Sequence, residues 1–220
     1  MSDARPPRLY LITDRHATAG GPLAGVVAQA LRGVAGSGLP PGDVAVQLRE
    51  KDLSGRALTE LARELRAVTA AAGVALYIND RIDVALAVGA DGVHLGGGSL
   101  GVAAAARIAG RLAIAVSVHA PSEVAALTNA AGGRVSFGLL GPVFDTPSKR
   151  PFGSPLGVAA IAEAAGARLP VVAVCGIGPD RVRAVLAAGA HGVACIRAVM
   201  AAPDPAGAAR TFCQELSFAK

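Results

Sequence analysis

Residues 134–157 read RVSFGLLGPVFDTPSKRPFGSPLG, and the fold turns on how they are read. The run 135–140 is apolar enough for a strand covered on both faces, and Gly141-Pro142 ends it. The residues beyond exclude continuous helix and central strand, because Pro147, Pro151 and Pro155 recur there with Gly153 and Gly157. Thr146, Ser148, Lys149 and Arg150 concentrate hydrogen-bond donors in the same segment. It reads as a loop built to grip an anion.

The same unit, a short apolar strand opening into a polar or Gly-rich turn, recurs along the chain. Strands are predicted at 9–14, 44–49, 74–78, 92–95, 112–119, 135–140, 171–175 and 192–196. Helices are predicted at 24–35, 57–72, 82–88, 121–131, 158–167, 179–188 and 205–216. Leu58, Leu61 and Leu65 fall on one face of the second helix. Residues 85–95 (ALAVGADGVHL) echo residues 185–195 (VLAAGAHGVAC). Either two half-barrels repeat, or the Gly turns reuse one local geometry. Alternation, strand composition and a length of 220 residues predict one (β/α)8 TIM barrel over residues 1–220 rather than an open doubly wound sheet.

Half of the residues are apolar (52%) and few are aromatic (3%), so the core must be packed from small aliphatic side chains. The formal net charge is +5, but the arginines are scattered and no aromatic platform accompanies them, which argues against nucleic acid. Phosphorylated small molecules are the expected partners. Cys175, Cys195 and Cys213 have no metal-site spacing and cannot all pair, as expected of reduced thiols in a cytoplasmic protein. Neither a signal-peptide pattern nor an uninterrupted apolar stretch of spanning length is present, so no membrane partner is expected. The assembly is left open, a homodimer included.

In a barrel of this kind the active site lies at the C-terminal ends of the strands. Those ends hold Asp14 and Arg15, Gln47 to Lys51, Asn79 and Asp80, Ser117 and His119, Thr146 to Lys149, Gly176, and Ile196 with Arg197. Lysine, asparagine and glutamine are scarce here: the lysines are Lys51, Lys149 and Lys220, and the asparagines Asn79 and Asn129. Scarce polar types therefore collect at the predicted mouth. Arg49 and Lys51 suit phosphate oxygens, and Asp80 is a hard donor of the kind that holds Mg²⁺ beside phosphate. The alternative is that Arg49, Glu50, Asp80 and Arg81 pair as salt bridges around the rim. Gly176 to Gly178 precede a predicted helix, where backbone N–H groups can meet phosphate. His119 is a candidate base or an orienting donor. His94 reads as structural, and His16 and His191 as lacking polar neighbours.

Taken together, QLREK at 47–51, IND-R-x-D at 78–83, GADGVHLG at 89–96, SVH at 117–119 and GPVFDTPSK at 141–149 resemble thiamine phosphate synthases and the related TenI-type thiazole tautomerases. The resemblance covers nearly the whole chain. It implies a transferase that joins hydroxymethylpyrimidine pyrophosphate to thiazole phosphate and releases pyrophosphate. By resemblance Gln47, Leu48, Arg49, Glu50, Lys51, Asn79, Ser117 and Lys149 would hold the pyrimidine pyrophosphate, and Asp80 the Mg²⁺ cofactor. Thr146, Pro147, Ser148, Gly176, Ile196 and Arg197 would hold the thiazole phosphate. Arg49, Ser117, His119 and Lys149 would serve the chemistry.

Two positions depart from the synthase pattern. Ser99 stands where that pattern has a second metal carboxylate, and Arg197 where it usually has Ser. The first departure resembles the tautomerase, an isomerase that would use His119 and no metal. A non-catalytic thiazole or thiamine phosphate binder is the third reading.

Overall fold

The structure is a computed structural model, described here for residues 5–18, 21–130, 134–147, 150 and 153–218. Eight parallel strands close into a barrel in chain order. They are β1 (Leu9–Ile12), β2 (Val44–Leu48), β3 (Ala75–Asn79), β4 (Gly92–Leu95), β5 (Ala113–Val118), β6 (Val135–Leu140), β7 (Val171–Val174) and β8 (Gly192–Cys195). Between them run α1 (Leu23–Val34), α2 (Gly55–Ala71), α3 (Ile82–Ala87), α4 (Val102–Ile108), α5 (Pro121–Ala130), α6 (Gly157–Ala164) and α7 (Val182–Ala187), followed by α8 (Arg197–Met200) and α9 (Pro205–Phe218). None of the helices among the described residues is long and apolar enough to cross a membrane.

Strand alternation divides the core into two layers. On β1, Leu9 and Leu11 pack outward with the helices, whereas Tyr10 and Ile12 face the barrel axis. The axial layer also takes Ala45, Tyr77, Ala113, Ala115, Phe137, Leu139, Val172, Val174 and Ala194. Most of these are small, and three aromatic rings fill the space they leave. Tyr10, Tyr77 and Phe137 meet edge-to-face at 5.3–5.7 Å between centroids, a favoured geometry for ring quadrupoles. Gly92 makes room for this cluster, since a Cβ there would run into the Tyr77 ring and the Ala113 carbonyl.

The predicted strands at 9–14, 44–49, 112–119, 171–175 and 192–196 end earlier than expected. Polar mouth residues continue the runs of β1, β2 and β5 without belonging to the ladder; just past β1, Thr13 N–H still donates to the Gln47 carbonyl before the chains diverge. Two helices were not expected, α4 and α8. Helix α4 buries only Ala105, so its sequence carries little amphipathic signal, and α8 is a single turn. The helix expected at 179–188 is a 3₁₀ turn, Pro179–Arg181, followed by the six-residue α7. The echoed segments share one helix cap. Gly89 and Gly189 both have positive φ and donate to Leu86 and Leu186, while Ala90 and Ala190 donate to Ala85 and Val185.

Candidate active site at the barrel mouth

The axial face becomes polar at the C-terminal end of β2, β3, β4 and β5, whereas on β1, β6, β7 and β8 it stays apolar. On β2 the inward series runs from Ala45 to Gln47, on β3 from Tyr77 to Asn79, on β4 from Gly92 to His94, and on β5 from Ala115 to Ser117. The register sets Ile12 beside Gln47 and Asn79 beside His94 on neighbouring strands. Leu48 and Glu50 have the opposite parity. Leu48 packs in the outer core, leaving only its backbone for the mouth.

Gln47 is 1% exposed, and neither its amide oxygen nor its amide nitrogen has a partner among the described residues. A buried amide left with both ends unpaired calls for a ligand or water. Beside it in sequence, the Arg49 backbone N–H donates to Thr13 Oγ1 at 3.0 Å. Its guanidinium makes no hydrogen bond or ion pair among the described residues, and neither does Lys51.

Glu50 is used differently. Its buried carboxylate accepts from Thr13 Oγ1 at 2.7 Å, from Arg15 N–H at 3.1 Å and from the Arg15 guanidinium at 3.1 Å. Arg15 continues to Asp52 with a two-pronged contact at 2.5 Å, and His16 Nε2 lies 3.2 Å from the same carboxylate. Hydrogen bonding to Arg15 holds the Asp52 carboxyl well below the ordinary range. His16 therefore does have polar neighbours, contrary to the sequence reading: folding brings Asp52 across from the neighbouring loop. The rim salt bridges expected as an alternative are found for Glu50 with Arg15 and for Arg81 with Asp83, but among the described residues none involves Arg49 or Asp80.

Asp80 follows β3 in a left-handed conformation, φ 62°, uncommon for a residue with a side chain. Its N–H donates to the His94 carbonyl at 2.9 Å. Asn79 Nδ2 donates to one carboxylate oxygen at 3.0 Å, and Ser99 Oγ donates to the other. Among the described residues no group of three metal-ligating side chains occurs. Asp80 is thus a lone carboxylate with a hydroxyl neighbour. That set fits Mg²⁺ when substrate phosphates and water complete the octahedron, the usual manner in which this ion is held.

His94 is buried. Its Nε2 lies 2.9 Å from Ser117 Oγ and its Nδ1 lies 3.3 Å from the Tyr10 hydroxyl. Burial pulls its pKa down to about 3, with Asp80 acting in the opposite sense and Arg49 in the same one. His119 is exposed and donates from Nδ1 to the Gly141 carbonyl at 2.8 Å, while its N–H donates to Glu123. That leaves Nε2 free to face a ligand.

On the far side, Cys175 and Gly176 both have positive φ, 78° and 66°. A Cβ on Gly176 would sit 2.7 Å from Phe144 Cβ and 2.9 Å from the Asp145 carbonyl, so the β6 and β7 loops touch there only because the residue is glycine. Arg181 ties them further, donating to the Gly176 carbonyl at 2.6 Å and lying 4.4 Å over the Phe144 ring. Thr146 Oγ1 donates to the Phe144 carbonyl at 3.3 Å, and Pro147 is exposed. Ile196 packs against the axial layer and Arg197 is exposed at the start of α8. Ser148 and Lys149 lie outside the described residues.

Sequence reasoning missed His94, Tyr10, Thr13 and Arg181. The inward parity of His94 relative to Gly92 was the available signal for the first. The others depend on contacts between residues distant in the chain.

A family profile described as thiamine monophosphate synthase matches residues 9–199. A putative thiamine-phosphate synthase of Geobacter sulfurreducens is 46% identical over 205 residues, covering 92% of this chain and 91% of its own. A thiamine-phosphate synthase of Roseiflexus castenholzii is 42% identical over 207 residues, 93% of this chain and 86% of its own. Among solved structures, thiamine phosphate pyrophosphorylase from Pyrococcus furiosus superposes with a TM-score of 0.84 at 32% identity, covering 96% of each chain. With matches of this extent, the chain belongs to the thiamine monophosphate synthase family.

Proposed function

We propose that the chain is a thiamine phosphate synthase, joining hydroxymethylpyrimidine pyrophosphate to thiazole phosphate with release of pyrophosphate. The observation that carries this reading beyond family membership is Gln47, a buried amide near the C-terminal end of β2 whose donor and acceptor both lack a partner among the described residues. An aminopyrimidine presents the complementary acceptor and donor on one edge. Arg49, unpaired among the described residues, stands two positions on and would take the pyrophosphate.

The reaction needs no protein nucleophile. As the bond from the methylene carbon to the pyrophosphate oxygen breaks, negative charge grows on the leaving group, and Arg49 and Lys149 would offset it. The thiazole nitrogen then supplies the electron pair for the new carbon–nitrogen bond. Thr146, Ser148, Gly176 and Arg197 would hold the thiazole phosphate across the mouth. Asp80 would hold Mg²⁺, whose contribution is charge neutralisation on pyrophosphate. Asn79 and Ser99 fix the Asp80 carboxylate for that role.

Ser99 beside Asp80 is the observation that favours a second reading, a metal-independent tautomerase in which His119 Nε2 moves the proton. One assay separates the two. Purified protein given both substrates, with and without Mg²⁺, should form thiamine phosphate only with the metal. Interconversion of thiazole phosphate isomers without product would transfer the assignment to the tautomerase.

A further inference from the structure

Tyr10, His94 and Ser117 form a hydrogen-bonded line from the aromatic centre of the barrel to its mouth, with contacts of 3.3 and 2.9 Å. The Tyr10 ring and the imidazole also stack, 5.8 Å between centroids and 23° between planes. Tyr10 is fully buried, and among the described residues its hydroxyl has no hydrogen-bonding neighbour other than His94.

The proton order along this line has two solutions for a neutral imidazole. In the first, Tyr10 O–H donates to Nδ1, Nε2–H donates to Ser117 Oγ, and the Ser117 proton is left to point into the mouth. In the second, Nδ1–H donates to the phenol oxygen and Ser117 O–H donates to Nε2. The second leaves the phenolic proton buried without an acceptor, which is costly in an apolar surround. An imidazolium would strand it in the same way, since both ring nitrogens would then donate.

We propose that Tyr10 and His94 are positioning residues that fix the proton order of this line, so that Ser117 presents its O–H as a committed donor to a ligand acceptor in the mouth. The step from this geometry to catalysis rests on the synthase reading, in which Ser117 touches the pyrimidine pyrophosphate. The acceptor would be a ring nitrogen or a pyrophosphate oxygen.

Tyr10→Phe removes the one hydroxyl that sets the order and keeps the ring. In ¹⁵N-histidine-labelled protein, His94, identified as the resonance missing from His94→Gln, should show protonated Nε2 and unprotonated Nδ1, and Tyr10→Phe should mix the tautomers. With both substrates and Mg²⁺, kcat/KM for thiamine phosphate should fall about five- to tenfold in Tyr10→Phe, as expected for one misdirected hydrogen bond. The loss should vanish in a Ser117→Ala background, since the two changes act through one hydroxyl. His94→Gln, which keeps a neutral donor, should retain more activity than His94→Leu at comparable melting temperature.

A wild-type His94 protonated on Nδ1 would overturn the proposal. So would a Tyr10→Phe loss that persists undiminished without the Ser117 hydroxyl. The NMR arm needs no substrate: a protein that orders its protons as described yet makes no thiamine phosphate contradicts the synthase reading and leaves the relay standing.

Discussion

Ser99 Oγ donates to the Asp80 carboxylate across the β3 and β4 loops, while accepting from the Gly96 N–H at 2.6 Å. The hydroxyl therefore sits against the metal-binding candidate, at the position where the synthase pattern places a second carboxylate. Ser99→Asp should lower the Mg²⁺ concentration for half-maximal product formation by about tenfold, equivalent to roughly 1.4 kcal/mol of added binding. It should also lower the melting temperature of the metal-free protein, because two carboxylates then face each other. Added Mg²⁺ with pyrophosphate should restore it. No change in either measurement would place the metal elsewhere.

Asp80 and His119 rank the two readings of the reaction. In the synthase, Asp80→Ala should abolish metal-dependent product formation, whereas His119→Ala should cost less, since its Nδ1 is already engaged with the Gly141 carbonyl. Initial rates with both substrates measure this, and the reverse order would favour proton transfer by His119.

Thr13, Glu50 and Arg15 brace the turn that carries Arg49. The Glu50 carboxylate accepts from three donor groups on two residues of the neighbouring strand end, and Thr13 Oγ1 in turn accepts from Arg49 N–H. Glu50→Ala would leave Thr13 and Arg15 without their buried acceptor and should destabilise the protein by about 2 kcal/mol in denaturant titration. Activity should fall as well, because the Arg49 backbone loses its anchor. A variant of unchanged stability would show that the brace is dispensable.

Gly176 holds the two loops of the opposite wall in contact. Gly176→Ala combines a positive φ with a Cβ pressed against the Phe144 side chain and the Asp145 backbone, and should cost about 2–3 kcal/mol. The accompanying shift of the 144–146 segment should raise KM for thiazole phosphate more than KM for the pyrimidine pyrophosphate. Equal effects on both would show that this wall does not belong to one substrate alone.

The barrel was legible because apolar runs such as 135–140 have one use in a chain that alternates them with helices. Gln47 and Asn79 stood out in the sequence because amides are scarce in this chain, and both fall at the C-terminal ends of their strands. His94 did not. Its meaning comes from Tyr10, 84 residues away, and from a burial that only the closed barrel creates. Glu50 was grouped with its neighbours in QLREK, but strand parity sends it toward β1 and Arg15. Helix α4 escaped because alanine-rich sequence after a Gly run gives no apolar stripe to detect.

Buried neutral His94 also ties stability to pH. Its folded pKa of about 3 lies below the ordinary value of 6.5. Between these values the unfolded chain binds a proton that the folded chain refuses, so acidification favours unfolding. The contribution is fully present above pH 6.5, is lost progressively as pH falls, and stops changing below about 3. Over that window the slope approaches one proton, about 1.4 kcal/mol per pH unit. Denaturant titrations of wild type and His94→Gln between pH 4 and 7 should differ by nearly that slope, with the variant the flatter of the two. Parallel curves would mean that His94 takes up its proton in the folded barrel, and that the imidazole is less sealed than its contacts with Tyr10 and Ser117 require.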